Sequence, residues 1–341
     1  MAGRERGRDL IVIGGSAGSL EPLRKLVAGL PADLPAAILV VIHISSDFPS
    51  YLQQILRDSG SLRTIAPKEK QKLERGVIYV APPDRHLLVE DGYVEVSRGP
   101  RENRHRPAID PLFRSAARWH GRRVIGVVLS GQLDDGSSGL MAVKIAGGLT
   151  VVQDTSEALC PEMPSRAKLY AGAEYELPVA RIAELLIEAT SSQAASGAAA
   201  ENDMPDELRN EAEKAKLESQ ANKDKNGKPS AFACPECHGV MWEMEEGKLL
   251  RFRCRVGHAY TAEALRTALS DSVEEALWAA MRTLEEKAAL LRRIGARAGE
   301  RQAVSYHEEA GGYDKHAETI RDLLVQNQGV QVREESKAER A

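Results

Sequence analysis

Leu10-Ile11-Val12-Ile13-Gly14-Gly15-Ser16-Ala17-Gly18-Ser19 is the stretch whose reading decides the fold. Four apolar residues run without a polar interruption and stop at a glycine pair, as in a short strand buried on both faces. Beyond the turn, apolar residues recur at Leu23, Leu26, Val27 and Leu30, a helical spacing that Pro31 ends. Ser16 therefore stands at a strand–turn–helix junction in the pattern G-x-S-x-G. A tight glycine turn lifts a hydroxyl clear of the sheet edge, and the start of a helix offers N–H groups to a developing oxyanion. The same construction also binds phosphate or serves as a plain turn. However, Gly14, Gly15 and Gly18 do not complete G-x-G-x-x-G, and no G-K-[ST] is present. The next apolar run ends in His43, where a dinucleotide fold wants an acid. The balance moves away from nucleotides.

The strand–helix alternation continues on the C-terminal side. Residues 37–44 form a second β-prone run, 51–56 are helical in pattern, and 77–81 and 87–96 read as strands with turns at Pro82-Pro83 and Asp91-Gly92. A helix over 110–119, a buried strand over 123–129, a helix over 139–146, a strand over 150–153 and a helix over 181–190 follow. This order predicts an α/β domain over 8–190, with a doubly wound, mostly parallel sheet and helices on both faces. Sites in such sheets form outside the carboxyl ends of the strands. Ser16 and His43 occupy two such ends, and the loop 130–138 at a third carries Asp134 and Asp135. A hydroxyl, an imidazole and a carboxylate from three strand ends suit nucleophilic catalysis, with the acid holding the imidazole tautomer. Taken singly, each has a plain reading: a turn serine, a strand-end histidine, a helix-capping aspartate.

The totals exclude other classes. A chain of 341 residues has room for two or three domains. A net charge of −4 lacks the basic face of a nucleic-acid binder. The first nine residues are charged without a signal core, and no apolar run reaches the length of a membrane span. A cytoplasmic protein without membrane insertion is expected.

Residues 191–230 change to Ala, Ser, Gly and then dense charge, as in a flexible linker. Within 231–261, Cys234-x-x-Cys237 and Cys254-x-x-x-His258 have the spacing of a structural zinc ribbon, with His238 as a competing fourth ligand. All four positions are filled, so no open coordination site for chemistry is expected. Cys160 lies apart and reads as a small buried residue. Residues 262–330 read as a helical hairpin or coiled-coil tail. Leu277, Met281, Leu284, Ala288 and Leu291 form one seam, and a second helix is expected over about 313–328.

Several segments within 10–187 together resemble the catalytic domain of the chemotaxis receptor methylesterases, the CheB type. They are the turn from Ile13 to Gly18, Val41-Ile42-His43-Ile44, the run from Tyr79 to His86, the run from Arg104 to Phe113, Gly126 to Gly131, Asp135-Gly136, Gly147 to Thr150, and Met163-Pro164. The resemblance implies a doubly wound domain distinct from the α/β-hydrolases. It implies hydrolysis of glutamate methyl esters on chemoreceptor helices, often with deamidation of receptor glutamines, and no catalytic cofactor. By motif position, Ser16 is the nucleophile, His43 the base and Asp135 the acid, with Asp134 the less fitting substitute. Ala17 and Gln132 are candidates for the oxyanion hole, and His86, Arg104 and Arg106 for a substrate groove; the arginines fit salt bridging equally well. Ser19 stands where the family carries a further glycine, and Gln132-Leu133-Asp134 departs from its usual acid loop, G-M-G-N-D-G. The family's receiver domain is not expected here, since the catalytic strand begins at Leu10. The C-terminal helices are expected to meet a signalling protein. The competing expectation is a non-catalytic regulatory scaffold.

Overall fold

A computed structural model describes residues 7–44, 50–191 and 227–338, with side chains to 326. The expected linker lies almost wholly outside the described residues.

The chain divides into two compact units, Met1–Leu265 and Arg266–Ala341. In the first, seven parallel strands form a sheet in the order β10-β9-β8-β1-β2-β5-β3. They are β1 (Leu10–Gly15), β2 (Ala37–Ile42), β3 (Arg63–Ile65), β5 (Val77–Val80), β8 (Val124–Val128), β9 (Leu149–Gln153) and β10 (Tyr175–Leu177). From β1 the chain first builds one side of the sheet, then crosses to build the other through β8. The switch point falls between β1 and β8, where an open α/β sheet leaves a crevice.

Alternation along the strands supplies two cores. Val12, Leu39 and Val128 face α3 (Ile109–His120), α4 (Ser137–Ile145) and α5 (Glu162–Ala171) through Phe113, Leu140 and Met163. Ile13, Val40 and Val127 face α1 (Leu20–Ala28), α2 (Leu52–Ser59) and α6 (Val179–Ser191) through Leu26, Leu56 and Leu186. The short β4 (Gln71–Lys72), β6 (His86–Glu90) and β7 (Tyr93–Ser97) form a separate antiparallel sheet. The strands expected at 77–81 and 87–96 thus enter different sheets, and the turn expected at Asp91-Gly92 joins β6 and β7.

Four antiparallel strands follow, β11 (Lys228–Ala233), β12 (Val240–Glu246), β13 (Leu249–Cys254) and β14 (Ala259–Thr261). They belong to the first unit and not to a module standing by itself. The reason is electrostatic: Arg251 and Arg253 are buried, and their guanidiniums meet the carboxylate of Glu102 at 3.3 and 3.0 Å. Buried charges of this kind need their partners.

The second unit is a pair of helices, Ala262–Gly295, whose first turn lies in the first unit, and Glu300–Ala338. The second helix begins well before the expected 313. Met281 packs with Ala317 and Leu324, and Ala288 and Leu291 with Ala310. The seam read from the sequence is the one that packs. No described helix is long and apolar enough to cross a membrane.

Candidate active site and metal centre

Three parallel strand ends are tied together at the switch point. Gly15 pairs with Ile42, so Ser16 and His43 are the first residues past the ladder on adjacent strands. His43 N–H donates to the Gly15 carbonyl at 3.1 Å, and Ser16 N–H to the Ser130 carbonyl at 2.9 Å. The Ser130 hydroxyl in turn donates to the Ala17 carbonyl at 2.8 Å, which fixes the turn against β8. The turn tolerates no side chain at Gly14, where a Cβ would stand 2.3 Å from the Ile109 side chain. Gly18 takes φ +73°, a region open to glycine.

The imidazole of His43 meets Asp135 through Nε2, at 2.8 Å from Oδ2. Both side chains are almost completely buried. Nδ1 of His43 is buried and has no hydrogen-bond partner among the described residues. Asp135, and not Asp134, is the residue that reaches the ring. Asp134 instead accepts from the Thr261 hydroxyl at 2.6 Å.

Asp135 is held by a dense set of donors. Ile109 N–H reaches Oδ2 at 2.7 Å, and Asp110 N–H reaches Oδ1 at 3.2 Å. These are the first-turn groups of α3, which have no intrahelical acceptor and whose dipole favours an anion. Asn103 Nδ2 adds a bond to Oδ1 at 2.9 Å. The exchange is mutual, because Asp110 Oδ1 accepts Gly136 N–H at 3.0 Å and Gly139 N–H at 2.7 Å at the start of α4. Burial raises the cost of charge on Asp135, but the His43 bond and these donors outweigh it and hold the carboxyl well below the usual range. Burial and then the Asp135 charge push Asp110 up to about 8.

His105 stacks on His43, with ring centroids 3.6 Å apart and planes 13° from parallel. Burial, followed by the neighbouring imidazole, lowers His105 to about 3, so it is a neutral plate that fixes the ring without repelling its charged form. Sequence reasoning passed over Asn103, His105 and Asp110 as site residues. The only available signal was the position of His105 and Asp110 within the recognised run from Arg104 to Phe113.

Other candidates sort differently. Among the described residues, the N–H groups of Ala17 and Gln132 have no acceptor, whereas Gly131 N–H donates to the Cys160 carbonyl and Leu133 N–H to Glu162. Gln132 is exposed, and Ser16 Cβ lies 3.0 Å from where a Cβ on Gly131 would stand. His86 is not a groove residue. It is fully buried, and its Nε2 donates to the Pro100 carbonyl at 2.8 Å while Nδ1 accepts Ala108 N–H at 3.3 Å. Arg106 takes the salt-bridge reading, clasping Asp84 Oδ1 through Nε at 2.8 Å and the Gly99 carbonyl through Nη1 at 2.9 Å. Arg104 stays partly exposed beside His105.

Cys234, Cys237, Cys254 and His258 gather so that their ligand atoms all lie within 4.8 Å of one another. Cys237 Sγ is 3.5 Å from Cys254 Sγ, and His258 Nδ1 is 3.7 Å from Cys234 Sγ and 3.6 Å from Cys254 Sγ. His238 is not in the group; it sits in the turn of the first knuckle with φ 58°. Glu236 lies 3.4 Å from the far nitrogen of His258, where a carboxylate can orient a ligand ring. The four ligand atoms are close enough together to share one metal ion. Cys160 is half-buried and not deeply packed as expected.

The family model described as CheB methylesterase matches residues 11–186. A Dechloromonas aromatica protein named protein-glutamate methylesterase/protein-glutamine glutaminase 1 is 37% identical over 54% of this chain and 53% of its own length. A Leptospira interrogans relative, with the same two activities in its name, is 37% identical over 52% of this chain and 93% of its own. The crystal structure of the Thermotoga maritima CheB methylesterase catalytic domain aligns with a TM-score of 0.51 and 31% identity, covering 53% of this chain and 97% of that one. The chain spans about half the length of the first curated relatives it matches.

Proposed function

The chain belongs to the CheB methylesterase family, and on that premise we propose that it hydrolyses glutamate methyl esters on chemoreceptor helices with Ser16, His43 and Asp135 as a triad. The observation that carries this is the buried His43–Asp135 pair, 2.8 Å apart, with the second imidazole nitrogen left without a partner among the described residues. Asp135 holds the proton on Nε2 and leaves the Nδ1 lone pair as the base. Nδ1 takes the Ser16 proton as Oγ attacks the ester carbonyl. The N–H groups of Ala17 and Gln132 receive the oxyanion. The imidazolium returns the proton to the leaving methoxide, and methanol departs. Water, deprotonated by Nδ1, then attacks the acyl-enzyme and frees the glutamate and Ser16. A receptor glutamine follows the same course with ammonia as the leaving group.

We assign zinc to the Cys3His group. Zinc–thiolate bonds of about 2.3 Å put two thiolates of a tetrahedral site about 3.7 Å apart, which agrees with the Cys237–Cys254 spacing. A filled ligand set makes this ion structural. The exposed Trp278, Leu290 and Val304 on the helical pair support a signalling-protein partner there.

The test is methanol release from a methylated receptor fragment incubated with the full chain, repeated with hydroxylamine to capture the acyl group as a glutamyl hydroxamate. Methanol and hydroxamate are both expected. Failure to release methanol overturns the reading.

A further inference from the structure

Among the contacts between the Cys3His module and the active site, one side chain touches both β14 and Asp135. Asn103 sits deep between them, almost fully buried, with φ 49°. This left-handed backbone is uncommon outside glycine, although asparagine tolerates it better than most residues. Strand β14 of the module holds it at two points. Its N–H donates to the Ala259 carbonyl at 2.8 Å, and its Oδ1 accepts Thr261 N–H at 2.9 Å. With Oδ1 committed to Thr261, Nδ2 points the other way and donates to Asp135 at 2.9 Å and Asp110 at 3.0 Å. The Thr261 hydroxyl also donates to Asp134, so β14 grips the acid loop at a second place. The preceding residue, Glu102, anchors the same contact by meeting Arg114 of α3 at 2.5 Å and Arg251 and Arg253 of β13.

We propose that the Cys3His module is a working part of the esterase site: through Thr261 it orients Asn103, and through Asn103 it positions the triad carboxylate against His43. Asn103 is a positioning residue, not a catalytic one. The orientation of its amide is the critical feature. An amide turned over would set an oxygen against two carboxyl groups, and Thr261 N–H prevents that turn. β14 begins at the residue after His258, so the metal-binding knuckle and the relay are continuous in the chain. This inference rests on the proposed triad.

The test uses the full chain and cuts the relay at each link. Asn103→Ala removes the amide, and Thr261→Pro removes the N–H that orients it. Glu246→Gln is the comparison: Glu246 bonds Ser138 at 2.6 Å and also accepts from the Arg251 guanidinium, with no contact to Asn103. Each variant is checked for cooperative thermal unfolding, and whichever relay variant folds is decisive. In addition to methanol release, the His43 ring is titrated by NMR without substrate. Relay variants are expected to lose about tenfold or more in kcat with KM within about twofold. Their His43 midpoint is expected to move by about half a pH unit or more. Glu246→Gln is expected to stay within about twofold of wild type in kcat. An unchanged kcat and an unchanged His43 midpoint in a folded relay variant would overturn the proposal, as would an equal loss in Glu246→Gln. If wild type releases no methanol yet the midpoint still moves, the esterase reading fails while the positioning link stands.

Discussion

At the residue scale, two adjacent aspartates have different environments. Asp135 is surrounded by donors and is ionised. Asp134 is pushed up to about 6, first by burial, against the lowering effects of Thr261 and Arg166. A carboxyl raised in the folded state binds its proton more tightly there than in the unfolded chain. Stability therefore falls as pH rises from about 4 to about 6 and is level above that. Asp134→Asn is expected to remove this slope, a difference of at most about 2 kcal/mol between pH 4.5 and pH 7, read from urea unfolding at the two pH values. The placement of Ser16, His43 and Asp135 beyond three strand ends was legible because each follows an apolar run that marks a strand. His86 was misplaced because a histidine with both nitrogens satisfied in the core looks, in sequence, like one lining a groove. Asn103 and His105 lie in an aperiodic loop and gain their roles from partners far away in the chain; Thr261 is 158 positions from Asn103.

At the element scale, helix ends build the site. The N-cap of α3, Ala108, makes no side-chain cap, so Asp135 serves α3 from another loop while Asp110 of α3 serves α4. Each carboxyl satisfies orphan N–H groups of the other's helix. This arrangement locks the acid loop to α3 and places the start of α3 beside Gly14. Gly14→Ala would drive a methyl into Ile109, 2.3 Å away, costing about 1–3 kcal/mol by overpacking. The displaced residue also carries the N–H that meets Asp135, so kcat should fall along with the melting temperature. Unchanged values of both would contradict this packing. The five inner strands of the parallel sheet and five of its six flanking helices were read because their apolar spacing is local, whereas the short edge strands β3 and β10 and helix α5 were not read. The split of 77–97 between two sheets was not, since strand pairing depends on partners distant in sequence.

At the scale of the whole molecule, the two cores of the parallel sheet and the small antiparallel sheet form one unit around Glu102. One carboxylate faces Arg114, Arg251 and Arg253 away from water. Removing one member of such a cluster leaves uncompensated buried charge, so Glu102→Gln is expected to destabilise the first unit by about 3–5 kcal/mol, measured by urea unfolding. A value near zero would mean the module is only loosely seated. The cysteine spacing predicted that Cys234, Cys237, Cys254 and His258 would gather, but nothing in the sequence indicated that the last strand of that sheet would bond Asn103 and Asp134. Ser16 is the proposed nucleophile, and methanol release from methylated receptor by wild type and Ser16→Ala, measured side by side, decides whether it is. A loss of about a thousandfold or more is expected in the variant, and equal rates for the two proteins would rule Ser16 out as the nucleophile.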